Sequence, residues 1–397
     1  MKTAIISTVP AFPPHQGDRS RILGFTRALM SLGHVVHFVY LPSKGFADAD
    51  IAAHQAEYGQ ENVTVLRFPA IKHGLYRLRR ATQKAYKLAR IGLGLRNAHY
   101  YGLDEAFYDP MLDELRALQA RQRFDAVCVE YVSNSKAFQA FPRDVLKVLD
   151  TLDKFVDRHL QKGVKRPLIS FTAQEEGRGL RRADVVIAIQ QMEAEQFMRQ
   201  IGEDGTKVAT IGHFLDLSAR IQSHEPAEVL FIGSANPPNV FSLTDFINTT
   251  LPLVCELVPD FRIFVVGGIC NAIPSASNIV KLGRVANLSE VYKRAPTLIN
   301  PIIVGTGMNI KLLEAMAAGI PVISTETGAR GLTAEFRDGV IIVPDLDRKA
   351  FARNIAELAH SKSAREILGA AAHQSAMRWN RKQLDSLEDV FGRGPGC

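Results

Sequence analysis

Tryptophan occurs once and cysteine four times in the 397 residues. No apolar run reaches the roughly 18 residues that a membrane-crossing helix needs. Cys128, Cys255, Cys270 and Cys397 stand far apart, with no Cys-x-x-Cys pair and no Cys/His ligand spacing. That pattern excludes a disulfide scaffold and a sequence-spaced zinc site, and it fits a reducing compartment. The start, Met1 to Val9, has the charged-then-apolar order of a secretion signal, but Pro10, Pro13 and Pro14 interrupt it. It reads as a first buried strand. Acidic side chains are missing between Glu61 and Asp104, where nine bases stand: Arg67, Lys72, Arg77, Arg79, Arg80, Lys84, Lys87, Arg90 and Arg96. The formal net charge is +7, so the rest of the chain is slightly acidic and the basicity is one local patch. With 46% apolar and 22% charged residues the chain is an ordinary globular one, of roughly two to three domains.

Short β-branched runs alternate with longer helical patterns. Strands are expected at 3–9, 35–41, 63–67, 125–130, 146–149, 184–189 and 207–211, then at 228–232, 262–266, 278–281, 297–301, 320–324 and 339–343. Helical stretches between them include 19–32, 104–121, 174–182, 190–201, 287–294, 310–318 and 349–359. The alternation predicts βαβ units, with parallel sheets buried on both faces. Two such series meet near the polar segment His213 to Pro226. The expected domains are therefore 1–212 and 213–375, with an amphipathic stretch at 376–397 that could return to the first domain. Two open α/β domains would bind ligand at the carboxyl ends of their strands.

The most specific string is Asn300-Pro301-Ile302-Ile303-Val304-Gly305-Thr306-Gly307-Met308-Asn309-Ile310-Lys311-Leu312-Leu313-Glu314-Ala315-Met316. A strand enters a Gly-x-Gly loop and then a helix, and Gly319-Ile320-Pro321 leads to the next strand. Glycines let a ligand approach the backbone, and helix-start amides favour phosphate. Glu314, about one turn into that helix, could accept hydrogen bonds from ribose hydroxyls. The string resembles the donor-binding segment of the GT-B glycosyltransferases, especially glycosyltransferase family 4. Ser324 to Leu332, Val229 to Asn239, Leu282 to Val285, Pro10 to Arg21, Leu32 to Val36, Leu149 to Asp153 and Arg181 to Ala188 continue the likeness.

The resemblance implies an α/β GT-B fold, two Rossmann-like domains whose parallel sheets face across a cleft. It implies a nucleotide-sugar-dependent glycosyltransferase, retaining, with no metal or other cofactor and the nucleoside diphosphate sugar as co-substrate. Gly233, Ser234, Arg284, Val285, Gly305, Thr306, Gly307, Met308, Asn309, Lys311 and Glu314 would bind the donor. Gly17, Arg19 and Arg21 would stand on the acceptor side, with Asp18 as an N-cap, and Glu130 or Asp153 would be the acid facing the acceptor. Two departures stand out. The first of the family's paired glutamates falls on Thr306, and the loop Ser234 to Asn239 lacks the bases that usually neutralise the diphosphate. Lys311, Arg284 or Arg19 could replace them.

In the acid-free tract, Arg77, Arg80, Lys84, Lys87 and Arg90 recur every three or four residues among Leu75, Leu78, Tyr86, Ile91, Leu93 and Leu95. A basic amphipathic helix predicts contact with a membrane surface. No nucleic-acid-binding signature accompanies it, and a merely solvated helix is the plainer reading. Family and patch together imply a saccharide or lipid-linked acceptor, and polysaccharide or lipopolysaccharide assembly at the cytoplasmic face of a bacterial inner membrane. The rivals are a non-hydrolysing nucleotide-sugar epimerase and an inactive GT-B scaffold that binds a nucleotide sugar or a partner.

Overall fold

The computed structural model describes all residues except 15, 42–48, 67–69, 96–97, 161–168, 204, 218–227, 286–287, 306–307 and 393–397. At 70–73, 75–77, 79–80, 106 and 289 it describes the backbone alone. The chain divides into two compact units, Met1–Phe214 with Gln383–Cys397, and Leu215–Lys382.

The first unit carries strands β1 (Lys2–Ser7), β2 (Val35–Tyr40), β3 (Val63–Val65), β4 (Ala126–Glu130), β5 (Leu146–Asp150), β6 (Val185–Ala188) and β7 (Lys207–Thr210). Its helices are α1 (Gly17–Ser31), α2 (Ile51–Tyr58), α3 (Ala70–Gly92), α4 (Met111–Gln122), α5 (Ala173–Leu180) and α6 (Gln191–Ile201). The strands form one parallel sheet in the order β3-β2-β1-β4-β5-β6-β7. Successive residues of β1 and β4 fall into opposite-facing clusters: Ala4, Ile6, Val127 and Val129 on one side, Ile5, Ala126 and Cys128 on the other. Because both faces are covered, these strands need apolar residues at nearly every position.

The second unit repeats the plan. Its strands are β8 (Glu228–Ile232), β9 (Arg262–Val266), β10 (Ile279–Gly283), β11 (Thr297–Asn300), β12 (Val322–Thr325) and β13 (Val340–Val343). They pair in parallel in the order β10-β9-β8-β11-β12-β13. The helices are α7 (Pro237–Thr249), α8 (Leu251–Leu257), α9 (Leu288–Arg294), α10 (Ile310–Ala317), α11 (Arg348–His360) and α12 (Lys362–Phe391), the last of which ends in the first unit. In each sheet the strand order reverses at one point, between β1 and β4 in the first unit and between β8 and β11 in the second. The loops leaving those strands flank the crevice where α/β sheets bind ligands.

Two expectations change locally. The helix after the first loop begins at Gly17 with an extended Gln16 as N-cap, so Asp18 lies in its first turn instead of capping it. There its Oδ1 accepts from the Arg19 amide at 2.9 Å. The segment expected as one helix at 104–121 is a 3-10 turn at Leu103–Ala106 followed by α4.

Candidate active site

In the second unit the loops after β8, β11 and β12 meet at the reversal point. Asn309 caps α10, and its side-chain oxygen accepts from the Lys311 amide at 3.1 Å. Its Nδ2 donates to Asn300 Oδ1 at 2.5 Å, at the end of β11. Asn300 Nδ2 in turn donates to Ser324 Oγ at 3.0 Å and to the Gly328 carbonyl at 2.9 Å. A chain of side-chain hydrogen bonds thus ties the donor-loop string to the Ser324–Leu332 string. Gly328 has no room for a side chain, since a Cβ there would sit 2.6 Å from both Asn300 Nδ2 and Ser324 Oγ.

Glu314 is partly buried on α10, and Lys311 Nζ lies 2.6 Å from its Oε2. Tyr292 of α9 stands close: burial first, then the Glu314 charge, raises its phenol above the ordinary value. Gly305 is exposed with φ +137°, a conformation L side chains rarely adopt, and its carbonyl accepts from the Arg330 guanidinium. Met308, Asn309, Gly328, Ala329 and Arg330 share the wall of one small cavity. Sequence reasoning assigned no role to Arg330 or Tyr292. Arg330 stands inside the Ser324–Leu332 string, but only the fold brings it to Gly305.

The remaining donor expectations are scattered around this point. Ser234 is exposed after β8, where its carbonyl accepts from Asn239 Nδ2 at 3.1 Å, and Gly233 precedes it. Arg284 is exposed after β10, and Val285 packs on the second unit's core. Thr306 and Gly307 lie outside the described residues.

In the first unit the arginines expected on the acceptor side face inward. Arg21 is 4% exposed and neither solvated nor open to an acceptor. Its Nε and NH2 donate to the two Asp150 oxygens at 3.0 and 2.9 Å, and NH1 donates to the Gly212 carbonyl at 2.8 Å. Burial opposes the Arg21 charge, but Asp150 outweighs it and raises the guanidinium above its usual value. Arg19 is also buried, with NH1 donating to the Pro13 carbonyl at 3.3 Å. Gly17 is exposed at the start of α1.

Glu130 ends β4 opposite Asp150 in the sheet register. It is 0% exposed, so it offers no surface to an acceptor, and among the described residues neither carboxyl oxygen has a hydrogen-bond partner. Burial first, then the Asp150 charge, pushes its carboxyl well above the usual range against the pull of Arg21. Asp153, by contrast, is half-buried, its side chain 38% exposed, with Oδ2 2.9 Å from Arg158. Burial raises its pKa while Arg158 works the other way. Tyr131, between the two acids in sequence, holds φ +66° and donates to Asp18 Oδ2 at 3.4 Å.

The basic tract is the helix α3, although Arg67 and Arg96 lie outside the described residues, as do the side chains of Lys72, Leu75, Arg77, Arg79 and Arg80. Lys87 turns inward, its Nζ donating to the carbonyls of His99 and Tyr100 at 2.9 and 3.0 Å. Among the described side chains of α3, Leu78, Ala81, Thr82, Lys84, Ala85, Tyr86, Leu88 and Ala89 are exposed. Among the described residues no helix is long and apolar enough to cross a membrane, and no three His, Cys, Asp or Glu side chains converge as a metal site. A cavity of about 670 Å³ lies at the amino ends of β5, β6 and β7, lined in part by Arg181, Asp184 and Lys207. None of the expected site residues reaches it.

Residues 17–212 match the family model described as glycosyl transferase 4-like domain, and residues 226–361 match glycosyl transferases group 1. A Klebsiella pneumoniae protein described as an uncharacterized 44.6 kDa protein in the cps region is 27% identical over 130 residues, 30% of this chain. That match spans only about a third (34%) of the relative's length. Among solved structures, Anabaena Alr3699/HepE in complex with UDP and glucose superposes with a TM-score of 0.61 at 13% identity, covering 98% of this chain and 99% of that one. The lipopolysaccharide outer core galactosyltransferase WaaB gives 0.59 at 16% identity, again over 98% and 99%. At such identities the structures speak for the fold, while the two sequence models follow one another along most of the chain: it belongs to the group 1 glycosyltransferases of GT-B fold.

Proposed function

We propose that the chain transfers a sugar from a nucleoside diphosphate sugar to a saccharide acceptor carried on a lipid, in assembly of a bacterial surface polysaccharide or lipopolysaccharide. The observation that carries the reading is the β11–α10 junction at the strand-order reversal of the second unit, with Glu314 one turn into the helix. A carboxylate held there by Lys311 still offers lone pairs to ribose hydroxyls. UDP is the first nucleotide to consider, because it occupies the similar Anabaena structure. As the glycosidic bond breaks, charge grows on the leaving diphosphate. Prearranged amides and cations that meet this charge supply the main stabilisation, and the reaction takes no metal in this reading. We place Asp153, the exposed member of the two acids, next to the acceptor hydroxyl, and we take transfer to occur with retention.

A surface-glycan setting is supported by the cps region in which the Klebsiella relative is encoded and by the likeness to a lipopolysaccharide outer core galactosyltransferase. The described exposed side chains of α3 support the lipid. Exposed Leu78, Tyr86 and Leu88 beside Lys84 suit the boundary between acyl chains and anionic headgroups at the cytoplasmic face of a membrane.

The test is turnover. The chain is incubated with UDP- and GDP-sugars and lipid extracts of capsulated bacteria, with and without EDTA, and nucleoside diphosphate release and product anomers are followed. The proposal expects acceptor-dependent release that EDTA leaves unchanged and that Glu314→Ala and Asp153→Asn reduce. Epimerised donor without an acceptor would favour the epimerase. Nucleotide binding with no turnover would favour the inactive scaffold, for which the base-free loop after β8 already speaks.

A further inference from the structure

A diphosphate leaving group carries charge that a binding site must meet with amides or cations, and the start of α7 is poorly equipped for it. Its first two residues, Pro237 and Pro238, have no N–H. The next amide, of Asn239, donates to the Asn236 side chain at 2.9 Å, and that of Val240 donates to the Asn236 carbonyl at 3.0 Å. At the start of α10 two amides are likewise occupied. The Lys311 amide is held by the Asn309 side chain, and the Leu312 amide donates to the Asn309 carbonyl at 3.2 Å. Lys311 Nζ lies against Glu314, 2.6 Å away. The loop from Ser234 to Asn239 contributes no base of its own.

Arg330 comes to the same place from a different element. It leaves the loop after β12, and its NH1 donates to the Gly305 carbonyl. A Cβ placed on Gly305 would lie 3.5 Å from Arg330 NH2 and 3.7 Å from Pro238 Cβ. The guanidinium therefore stands at Gly305, within reach of both the β8 loop and the β11 loop. Asp345 contributes a neighbouring negative charge, and it accepts from the Thr327 amide at 2.8 Å and the Thr327 hydroxyl at 2.6 Å. A guanidinium presents five N–H donors in a planar fork that matches phosphate oxygens.

We propose that Arg330 binds the diphosphate of the donor, supplying from the β12 loop the positive charge that the β8 loop lacks. The assignment rests on the donor-site reading above. Gly305 supports the arrangement in two ways: its φ of +137° is one that L side chains rarely adopt, and its carbonyl holds the guanidinium in place.

The experiment compares a nucleoside diphosphate with its nucleoside. Calorimetric titrations with UDP and uridine, and with GDP and guanosine as a second pair, are run on the wild-type chain, Arg330→Gln, Arg330→Lys and Glu314→Ala. The expected result is a loss of about ten- to hundredfold in diphosphate affinity in Arg330→Gln, with nucleoside affinity unchanged and partial recovery in Arg330→Lys. Glu314→Ala should weaken nucleoside and diphosphate together. An unchanged preference for the diphosphate in Arg330→Gln overturns the assignment. So does an equal loss of both ligands, which would make Arg330 a support for the loop. A wild-type chain that binds neither pair overturns the donor reading itself.

Discussion

Replacing Glu130 by glutamine removes a proton-binding group from the interior of the first unit with little change in size. The wild-type carboxyl is 0% exposed, its oxygens have no hydrogen-bond partner among the described residues, and Arg21 turns its Nε, NH1 and NH2 to Asp150 and Gly212. Burial and the Asp150 charge therefore hold it protonated well above the usual glutamate range. In the unfolded chain the same group ionises near its ordinary value of about 4.3. Between those two points the native state binds one more proton than the unfolded state. Stability therefore falls as pH rises, by about 1.4 kcal/mol per pH unit from this group alone. The contribution is fully present below the unfolded value and is lost as pH climbs to the folded one. Burial also raises Asp153, Glu176 and Glu193, the last to about 7, so the wild-type slope is a sum. The difference between wild type and Glu130→Gln isolates one term. Urea unfolding followed by circular dichroism at pH 4, 5, 6 and 7 should give nearly equal stabilities at pH 4 and an advantage for the glutamine variant that widens above it, by at most about 1.4 kcal/mol per unit, until the pH passes the folded-state value. Parallel stability–pH curves would show that Glu130 is ionised or solvated in the native state, and would refute the reasoning.

Three further outcomes follow from the same geometry. Gly328→Ala pushes a methyl to 2.6 Å from the Asn300 amide and the Ser324 hydroxyl, so it should cost about 1–3 kcal/mol in thermal or urea unfolding and weaken nucleotide binding through Asn309. Asp150→Asn strands the buried Arg21 charge and should destabilise by about 3–5 kcal/mol, whereas replacing both partners by apolar residues of similar volume should recover most of that loss. Tyr86→Glu with Leu88→Glu on the outward face of α3 should abolish flotation with vesicles containing anionic lipid and leave the folded state intact, because both side chains are more than half exposed.

Every strand in the structure lies at or within a few residues of a run that reads as a strand in the sequence. A parallel sheet covered on both faces leaves little freedom in composition: Val229 to Ile232, Ile263 to Val266 and Val340 to Val343 are uninterrupted apolar runs of the kind such a sheet demands. Helices were less legible. α7 and α8 lie in none of the expected helical stretches, and Pro237, Pro238 and Pro252 stand in their first turns, where a missing N–H costs nothing. The 30-residue α12 showed its pattern only from Ala376 onward.

The site divides in the same way. The β11–α10 string is local, so the strand, the loop and the place of Glu314 on the helix were readable, whereas Asn309 was expected at the donor and also caps the helix. Arg21 meets Asp150 across 129 residues and Arg330 meets Gly305 across 25, and no local pattern encodes either contact. Arg21 looked like a surface base because the first turn of α1 is polar, and Glu130 looked accessible because it ends a strand. The side chains that enclose both come from other strands and loops.

The central claim is that the second unit binds a nucleoside diphosphate through the ribose contact of Glu314. The direct test is thermal stability of the chain and of Glu314→Ala with UDP, GDP, ADP and CMP, each over a concentration series. A ligand at about 100 times its dissociation constant stabilises the native state by about 2.7 kcal/mol. The account predicts a rise for one of these nucleotides, UDP first, that disappears in Glu314→Ala. No rise with any of the four, or a rise that the variant keeps in full, would contradict it.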